Sequence, residues 1–316
     1  MRRILFVIDK IELKYFEFNN LVTNFWLIKK FLELGNEVFI TTISQLLLEG
    51  NKACANCYET FVEKENIFYK NILSKKEINS FDLVMFRPDP PVDIDYINAT
   101  YVFDFVETEV VNSPKSIRSF NEKLHSLMFS EYMTACKVTS SLKEIEEFLS
   151  MHKQIVLKPL NRCFGSGVMC LFEGDPNTRT IINTLTNNEQ TMVMLQEFIP
   201  DVKNGDTRVL TLGDRILPYC VKKLPSEDDF KFNTHNDNFL VKSELTTEQL
   251  NRFAPIAKKL NSMGIVMAGF DVIGDKIIEI NVTSPCYFIK EINSIYNIHL
   301  ENELADFLLT RNLLSL

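Results

Sequence analysis

The sequence AGFDVIGDKIIEINVTSP, residues 268–285, is the stretch from which the fold and the site are best predicted. Its two short apolar runs are joined by a glycine-aspartate pair at 274–275, which predicts two strands in a tight hairpin. Glu279 and Asn281 leave the same face of one strand, and Asp271 on the other strand can point to that face too. Carboxylate and amide oxygens suit a hard cation such as Mg²⁺, which shares its remaining positions with substrate phosphates and water. The stretch therefore predicts an ATP–Mg²⁺ site.

A hairpin with one solvent-facing side is the alternative interpretation, since isolated acidic residues on strands usually face water. Isoleucines surround the acids at positions 277, 278 and 280. In such an apolar environment a carboxylate needs a partner or a metal, because burying it alone is costly. This favours the metal site.

Composition and charge restrict the class of protein. The chain has 316 residues, 46% of them hydrophobic and 24% charged, which is enough for a large core and two or three subdomains. The formal net charge of −8 argues against a general nucleic-acid binder, which would carry a basic face. No apolar run approaches the roughly 18 residues that would span a membrane.

The N-terminal residues and the cysteines indicate the cytoplasm. The start, MRRILFVIDK, has two arginines and an apolar run, but Asp9 and Lys10 interrupt the run too early for a signal peptide. It reads better as a first buried strand. Seven scattered cysteines fit reduced thiols rather than a disulfide framework, and the one C-x-x-C, at 54–57, lacks a second ligand pair for zinc.

Apolar patterning in the first 120 residues alternates between strand and helix. Strands are predicted at 4–8, 38–43 and 81–87, and a helix at 24–34 that stops at Gly35. This alternation predicts an open α/β domain with a parallel sheet. After residue 121 the predicted elements are mixed: a helix from 121, strands at 154–160 and 191–199, an antiparallel pair at 206–212 and 216–222, and a helix at 246–263 with Thr246 as N-cap.

Several polar residues are candidates for the site, each with an ordinary alternative. Lys158 lies within an apolar strand and should meet an anion, either a phosphate or a structural carboxylate. The glycine-containing loop at 161–167 can cradle phosphate, although the signal alone is weak. Arg208 suits a carboxylate or phosphate, or it forms a surface ion pair with Asp206. Lys123 is by default a surface lysine.

A series of short blocks, in order along nearly the whole chain, resembles the bacterial glutathione synthetases, which are ATP-grasp ligases. The blocks are FRPDPP (86–91), NATY (98–101), NSPKSIRSFNEKL (112–124), LKPL (157–160), EGDPN (173–177), LQEFIP (195–200), NGDTRVL (204–210), LPYC (217–220), GFDVIGD (269–275) and EINVTSP (279–285). The resemblance implies an α/β and α+β protein with an ATP-grasp fold: an N-terminal open parallel-sheet domain (1–121), a small ATP-grasp subdomain (122–200) and a large catalytic subdomain (201–316).

The resemblance also implies a reaction. The family joins γ-glutamylcysteine to glycine: the peptide carboxylate attacks the γ-phosphate of ATP, giving an acyl phosphate and ADP, and the glycine amine then displaces phosphate. Positioning and charge neutralisation supply the rate in such chemistry. The implied ligands are ATP, Mg²⁺ or Mn²⁺ and the two small substrates, without nucleic acid or membrane. The family also suggests a cytoplasmic homo-oligomer, a tetramer.

Roles carry over by position. The residues implied at ATP are Lys123, Lys158, Gly165, Gly167, Glu197, Phe198 and Ile199; at the metal, Asp271, Glu279 and Asn281; at the transferring group, Arg208, Lys223 and Asn233; and at the substrate, Arg87, Asn281 and Ser284.

The chain departs from the family pattern in two loops. Lys223 stands where the family has an arginine, and the glycine-rich segment that follows has lost both glycines while Asn233 is retained. The loop after Lys158 has also lost an Asp-Gly pair. Lysine cannot reproduce the fork of an arginine. Two alternatives therefore stay open: a ligase of the same fold for a different peptide acid or amine, and a degenerate nucleotide-binding protein.

Overall fold

In the computed structural model, which describes residues 1–10, 20–163, 165–225 and 240–311, the chain forms three β-sheets. The first has the order β3-β4-β2-β1-β7-β8, with β5 and β6 paired to β4. Its strands are β1 (Arg3–Ile8), β2 (Glu37–Thr42), β3 (Leu46–Glu49), β4 (Lys52–Glu63), β5 (Asn66–Tyr69), β6 (Ser74–Glu77), β7 (Leu83–Phe86) and β8 (Val110–Val111). Its helices are α1 (Thr23–Glu33), α2 (Ile94–Val102) and α3 (Pro114–Arg118).

The predicted parallel sheet is confirmed at the centre of this unit. Strands β2, β1, β7 and β8 are parallel, and all five residues of the apolar run from Ile4 to Ile8 are fully buried, as expected for a strand covered on both faces. Helix α1 ends where predicted, and Gly35 follows with a left-handed φ of 77°. The antiparallel extension through β3 to β6 was not predicted.

The second sheet is antiparallel, with the order β11-β10-β12-β9. Its strands are β9 (Cys136–Thr139), β10 (Gln154–Pro159), β11 (Met169–Phe172) and β12 (Val193–Glu197), and helices α4 (Leu142–His152) and α5 (Thr178–Leu185) pack on it. One apolar cluster joins the two helices to the sheet, with Ile145, Ile155 and Leu195 fully buried. The predicted strands at 154–160 and 191–199 are confirmed with slightly shorter bounds.

The third sheet has the order β16-β15-β13-β17-β18, with β14 paired to β13. Its strands are β13 (Asp206–Leu212), β14 (Arg215–Ile216), β15 (Cys220–Lys223), β16 (Leu240–Ser243), β17 (Met267–Ile273) and β18 (Lys276–Asn281). The helices of this part are α6 (Thr247–Ser262), α7 (Ile289–Tyr296) and α8 (Leu300–Thr310). The hairpin of β17 and β18 and the N-cap of α6 are as predicted: Thr246 and Gln249 form a complete capping box.

Two predicted elements were wrong in detail. The helix expected from residue 121 is instead a series of turns followed by a 3₁₀ segment, His125–Tyr132, in which Phe129 leaves helical geometry and is only 6% exposed. The expected strand at 216–222 is divided into β14 and β15. Pro218 lies between them and has no N–H to donate to the ladder, so the pairing with β13 resumes only at Val221.

The first and third sheets share one core. A single cluster contains Ile4 and Phe6 of β1 together with Leu210 of β13 and Leu304 of α8. Asn112, which directly follows β8, ties the two sheets together through four hydrogen bonds and is only 2% exposed. The first sheet is therefore fixed against the third one, and the ends of their strands meet at one cleft.

No helix among the described residues is long and apolar enough to cross a membrane. The seven cysteines all fall within the described ranges and are free thiols.

Candidate active site

A cleft with a volume of about 460 Å³ is lined by residues from all three sheets. The lining residues come from the end of β7, from β10 and β12, and from β13, β15, β17 and β18. Of the residues predicted at the site, those that line it are Arg87, Lys123, Lys158, Gly165, Glu197, Phe198, Ile199, Arg208, Lys223, Asp271, Glu279, Asn281 and Ser284. Residues scattered over 200 positions of sequence thus meet in one place.

The hairpin of β17 and β18 brings the three predicted metal ligands together. Asp271 and Glu279 are directly opposite partners in the antiparallel register, so their side chains share a face. The amide Nδ2 of Asn281 donates a hydrogen bond to Oδ2 of Asp271 over 3.0 Å. A β-bulge follows Asp271, which re-aims the strand next to the site.

Asp271 is held by two cations. The guanidinium of Arg208 donates to both carboxylate oxygens, Nε to Oδ1 at 2.8 Å and NH2 to Oδ2 at 3.1 Å, and the ammonium of Lys223 lies 3.2 Å from Oδ1. Burial alone would raise the pKa of Asp271, but Arg208 and Lys223 outweigh it and hold the pKa well below its usual range. The ion pair of Arg208 is therefore buried and made with Asp271, so the alternative interpretation, a surface pair with Asp206, does not hold.

Asp206 completes this cluster through Lys223. The Lys223 ammonium lies 2.9 Å from Oδ2 of Asp206, and both side chains are buried. Burial raises the pKa of Asp206 to about 7 despite the neighbouring lysine, while Oδ1 is buried without a partner among the described residues. The carboxylates of Asp271 and Asp206 in turn raise the pKa of Lys223 against the opposing effect of burial. Lys223 is thus a charged lysine at neutral pH.

Lys123 is not the surface lysine expected by default, because it is only 8% exposed. Its ammonium lies 3.2 Å from a carboxylate oxygen of Glu279 and donates to the carbonyl of Arg162 over 2.6 Å. It therefore lies between the hairpin strand and the glycine-containing loop, where a phosphate chain would meet both.

Lys158 is buried among neutral acceptors. Its ammonium donates to Oε1 of Gln196 at 2.6 Å and to the carbonyl of Ile278 at 3.1 Å, so it bridges β12 of the second sheet and β18 of the third. Burial lowers its pKa, and the negative charge of Glu279 opposes that shift. The other atom of the Gln196 amide, Nε2, is buried and has no hydrogen-bond partner among the described residues.

The glycine-containing loop and the end of β12 form the sides of the cleft. Gly165 and Gly167 both have left-handed backbone conformations, with φ of 68° and 72°. At Gly167 it is the left-handed φ that favours glycine, since the atom nearest to an added Cβ, at 2.9 Å, is the flexible end of the Arg162 side chain; Gly167 itself does not line the cleft. At the end of β12 the N–H groups of Glu197 and Phe198 are bound to other backbone carbonyls.

The substrate-side residues differ in how freely they face the cleft. The Arg87 guanidinium is buried and donates to Oδ1 of Asn24 and to the carbonyl of Pro285, which fixes the turn after β18. Burial raises the pKa of Asp89, and a hydrogen bond with Ser284 opposes the shift. Arg87 therefore holds the turn after β18 in place at this side of the cleft.

Some predicted features lie beyond these contacts. Asn233 falls outside the described residues. Within the described ranges, no group of three or more histidine, cysteine, aspartate or glutamate side chains is placed to hold a metal; the predicted set has two carboxylates and one amide.

The lining residues that sequence reasoning missed include Asp206, Gln196 and Glu122. Asp206 was assigned only as a partner of Arg208, and Gln196 lies in a segment considered for its backbone. A polar residue inside an otherwise apolar strand, as in MVMLQEF, was the available signal for Gln196. Nothing local marks Glu122, because its partners lie 160 residues away.

Two family models together match most of the chain. Residues 3–118 match the N-terminal domain of prokaryotic glutathione synthetase, and residues 122–297 match the ATP-grasp domain of prokaryotic glutathione synthetase.

Curated proteins and solved structures agree with these matches. The glutathione synthetase of Vibrio cholerae serotype O1 is 35% identical over 277 residues, covering 86% of this chain and 87% of the relative. That of Vibrio vulnificus strain YJ016 is 34% identical over 298 residues, covering 93% and 86%. The crystal structure of the D-cycloserine synthetase DcsG superposes with a TM-score of 0.66 at 15% identity, covering 97% of this chain and 99% of that one. D-alanyl-alanine synthetase A from Vibrio cholerae gives 0.60 at 10% identity, covering 98% and 97%, so the structures share the fold.

Proposed function

The chain belongs to the prokaryotic glutathione synthetase family, and from that premise we propose that its cleft joins γ-glutamylcysteine to glycine with conversion of ATP to ADP and phosphate. It has the ATP-grasp fold and is an ADP-forming carboxylate-amine ligase. The observation that carries the proposal is the convergence of four cationic side chains with the acidic hairpin in one cleft: Lys123, Lys158, Arg208 and Lys223.

The nucleotide is proposed to lie between the second and third sheets. Lys123 and Lys158 connect these sheets. Each ammonium would donate one or more of its hydrogen bonds to the phosphates in place of a present acceptor. The adenine would lie against 197–199, where Gln196 has an amide N–H group without a partner among the described residues. A buried donor of this kind is expected to find an acceptor on the ligand.

The acidic hairpin fits Mg²⁺ or Mn²⁺ by the chemistry of its donors. Asp271, Glu279 and Asn281 offer two carboxylates and an amide oxygen on one face of the hairpin, which are ligand types that Mg²⁺ prefers. When bound, the cation would neutralise phosphate charge. Around it, the cations of Lys123, Arg208 and Lys223 now balance the same carboxylates.

Arg208 and Lys223 are proposed to stabilise the reacting group. The substrate carboxylate oxygen attacks the γ-phosphorus and ADP leaves; the amine then attacks the acyl carbon and phosphate leaves. Negative charge gathers on the phosphoryl oxygens in both steps, and donors fixed in advance stabilise it best. The bidentate pair with Asp271 holds the Arg208 guanidinium in one orientation. Asn233 is proposed to contact the transferring group as well.

The other parts of the proposal follow the family. The N-terminal part, 1–121, would hold the peptide acid together with Ser284, with 122–200 and 201–316 enclosing ATP. A cytoplasmic location suits an ATP-consuming enzyme with seven free thiols. A homo-oligomer, in the family's case a tetramer, is proposed, and sedimentation velocity would measure it.

The test is ADP release by the purified protein with Mg²⁺-ATP, γ-glutamylcysteine and glycine, omitting each in turn. ADP release that requires all three, with glutathione as product, is the expected result. ADP release only with another acid or amine would replace the substrates and keep the reaction class. ATP binding without ADP release for any pair would contradict the proposal.

A further inference from the structure

The tripeptide 121–123 contacts two walls of the cleft at once. The Nδ2 group of Asn121 donates to the carbonyl of Leu160, and the ammonium of Lys123 donates to the carbonyl of Arg162, both in the loop after β10. Lys123 also lies 3.2 Å from Glu279 on β18. The segment predicted as an α-helix is thus an irregular chain whose side chains reach in different directions.

Glu122, in the middle of this tripeptide, binds the turn after β18. A single oxygen, Oε1, accepts hydrogen bonds from the N–H of Val282 at 2.6 Å, the N–H of Thr283 at 3.0 Å and the hydroxyl of Thr283 at 3.1 Å. These two residues lie between Asn281 and Ser284, which face the cleft. We call this set of three bonds the Glu122 clasp.

The use of a carboxylate here is informative. Burial raises the pKa of Glu122, and the nearby Glu279 adds to the shift, so the charged group is disfavoured at this position. A neutral acceptor would avoid that cost. Hydrogen bonds to an ionised acceptor are shorter and about twice as strong as neutral ones. Three donors that converge on one carboxylate oxygen hold the turn in place.

We propose that Glu122 is a positioning residue that locks the turn at 282–283, so that Asn281 and Ser284 keep a fixed placement relative to Lys123. The proposal rests on the proposed function, since it assigns Asn281 and Ser284 to the reaction. Because Glu122 and Lys123 are adjacent in the chain, one segment sets the distance between the phosphate-side lysine and the substrate-side turn. Glu122 acts through these residues and is not assigned a chemical step.

Four substitutions test the clasp by activity. Glu122→Ala should lower kcat at least 100-fold while the Kd for ATP, measured without acid or amine, changes less than threefold. Lys123 keeps its own contacts to Glu279 and to the carbonyl of Arg162, and Lys158 and 197–199 belong to the other wall of the cleft. Glu122→Gln keeps one acceptor of the same shape and should lose about tenfold. Thr283→Val removes one donor and should lose more activity than Thr283→Ser, which keeps the hydroxyl. In the variant that combines Glu122→Ala with Thr283→Val, the losses should not multiply.

The matched control is Glu131→Ala, an exposed glutamate of the same part of the chain, which should leave kcat and exchange unchanged. Hydrogen exchange reads the clasp without turnover: exchange over 279–285 should quicken in Glu122→Ala, with other peptides unchanged. A folded Glu122→Ala protein with kcat within threefold of the parent, or with unaltered exchange in that peptide, would overturn the proposal. Absence of glutathione formation by the unsubstituted protein would refute the proposed function instead, and the exchange comparison would still decide whether the clasp exists.

Discussion

Asn112 allows a sharp test of how the first and third sheets are joined. Its Nδ2 donates to the carbonyls of Met267 and Val282 at 2.7 and 2.8 Å, and its Oδ1 accepts from the N–H groups of Val266 and Met267, both at 2.8 Å. Asn112→Leu keeps the size of the side chain and removes all four bonds. Each buried hydrogen bond contributes about 1 kcal/mol, and each N–H left without an acceptor costs about 1–3 kcal/mol.

The expected loss of unfolding free energy is therefore about 4 kcal/mol, with a fall in the unfolding temperature on the order of 10 °C. Trp26, the single tryptophan, lies in α1 and reports the transition by its fluorescence. A loss below about 1 kcal/mol would refute the reasoning, because it would mean that the four backbone groups find other partners.

Asn112→Asp independently tests the geometry through the direction in which the stability of the variant changes with pH. An ionised aspartate still accepts from the two N–H groups, but its second oxygen would face the carbonyls of Met267 and Val282, so the folded state would favour the protonated acid. A carboxyl whose folded pKa is raised stabilises the fold below that pKa, and the stabilisation is lost as the pH rises through it. The variant should thus lose stability relative to the parent between pH 4 and about 8, measured by urea unfolding. A pH-independent difference would show that the carboxylate does not face the carbonyls.

Three further changes have defined outcomes. Glu279→Gln should abolish ADP release and leave the fold intact, because it removes a carboxylate of the proposed metal set; retained turnover by ADP assay would remove Glu279 from that set. Lys158→Met should weaken ATP binding about 10- to 100-fold by titration calorimetry, since charge-assisted bonds contribute about 1.5–3 kcal/mol; unchanged affinity would leave Lys158 a structural residue. Burial raises the pKa of Glu109 to about 7, so stability should fall as the pH rises from 5 to 7 relative to Glu109→Gln, by well under the one-proton limit of about 1.4 kcal/mol per pH unit because solvent screens this partly exposed side chain; parallel pH profiles of urea unfolding would contradict this.

The parts that the sequence predicted well are those in which the information is local. The hairpin of β17 and β18 has a two-residue turn and alternating side chains, so the shared face of Asp271 and Glu279 follows from strand geometry. The capping box at Thr246 is likewise contained in four residues. The apolar run of strand β1, from Ile4 to Ile8, is bounded by charged residues on both sides, and its full burial follows from its apolar composition.

The parts that it predicted poorly depend on partners distant in sequence. The segment after 121 has helical spacing, but Asn121 binds the loop after β10 and Glu122 binds the turn after β18, and these contacts override the local preference. Arg208 has an acidic residue two positions away, yet its partner is Asp271, 63 positions along the chain. Only the pairing of β13 with β17 brings Arg208 opposite Asp271.

The same cluster defines the contacts of Lys223. A lysine has one point of charge, and the Lys223 ammonium lies between Asp206 and Asp271, which leaves Oδ1 of Asp206 without a partner among the described residues. An arginine has a planar fork that can serve two acceptors. At this point of the cleft the chain therefore has a single positive charge that contacts both carboxylates. Arg208 supplies the bidentate contact that orients Asp271, and the Lys223 ammonium adds a further contact to Oδ1 of the same carboxylate.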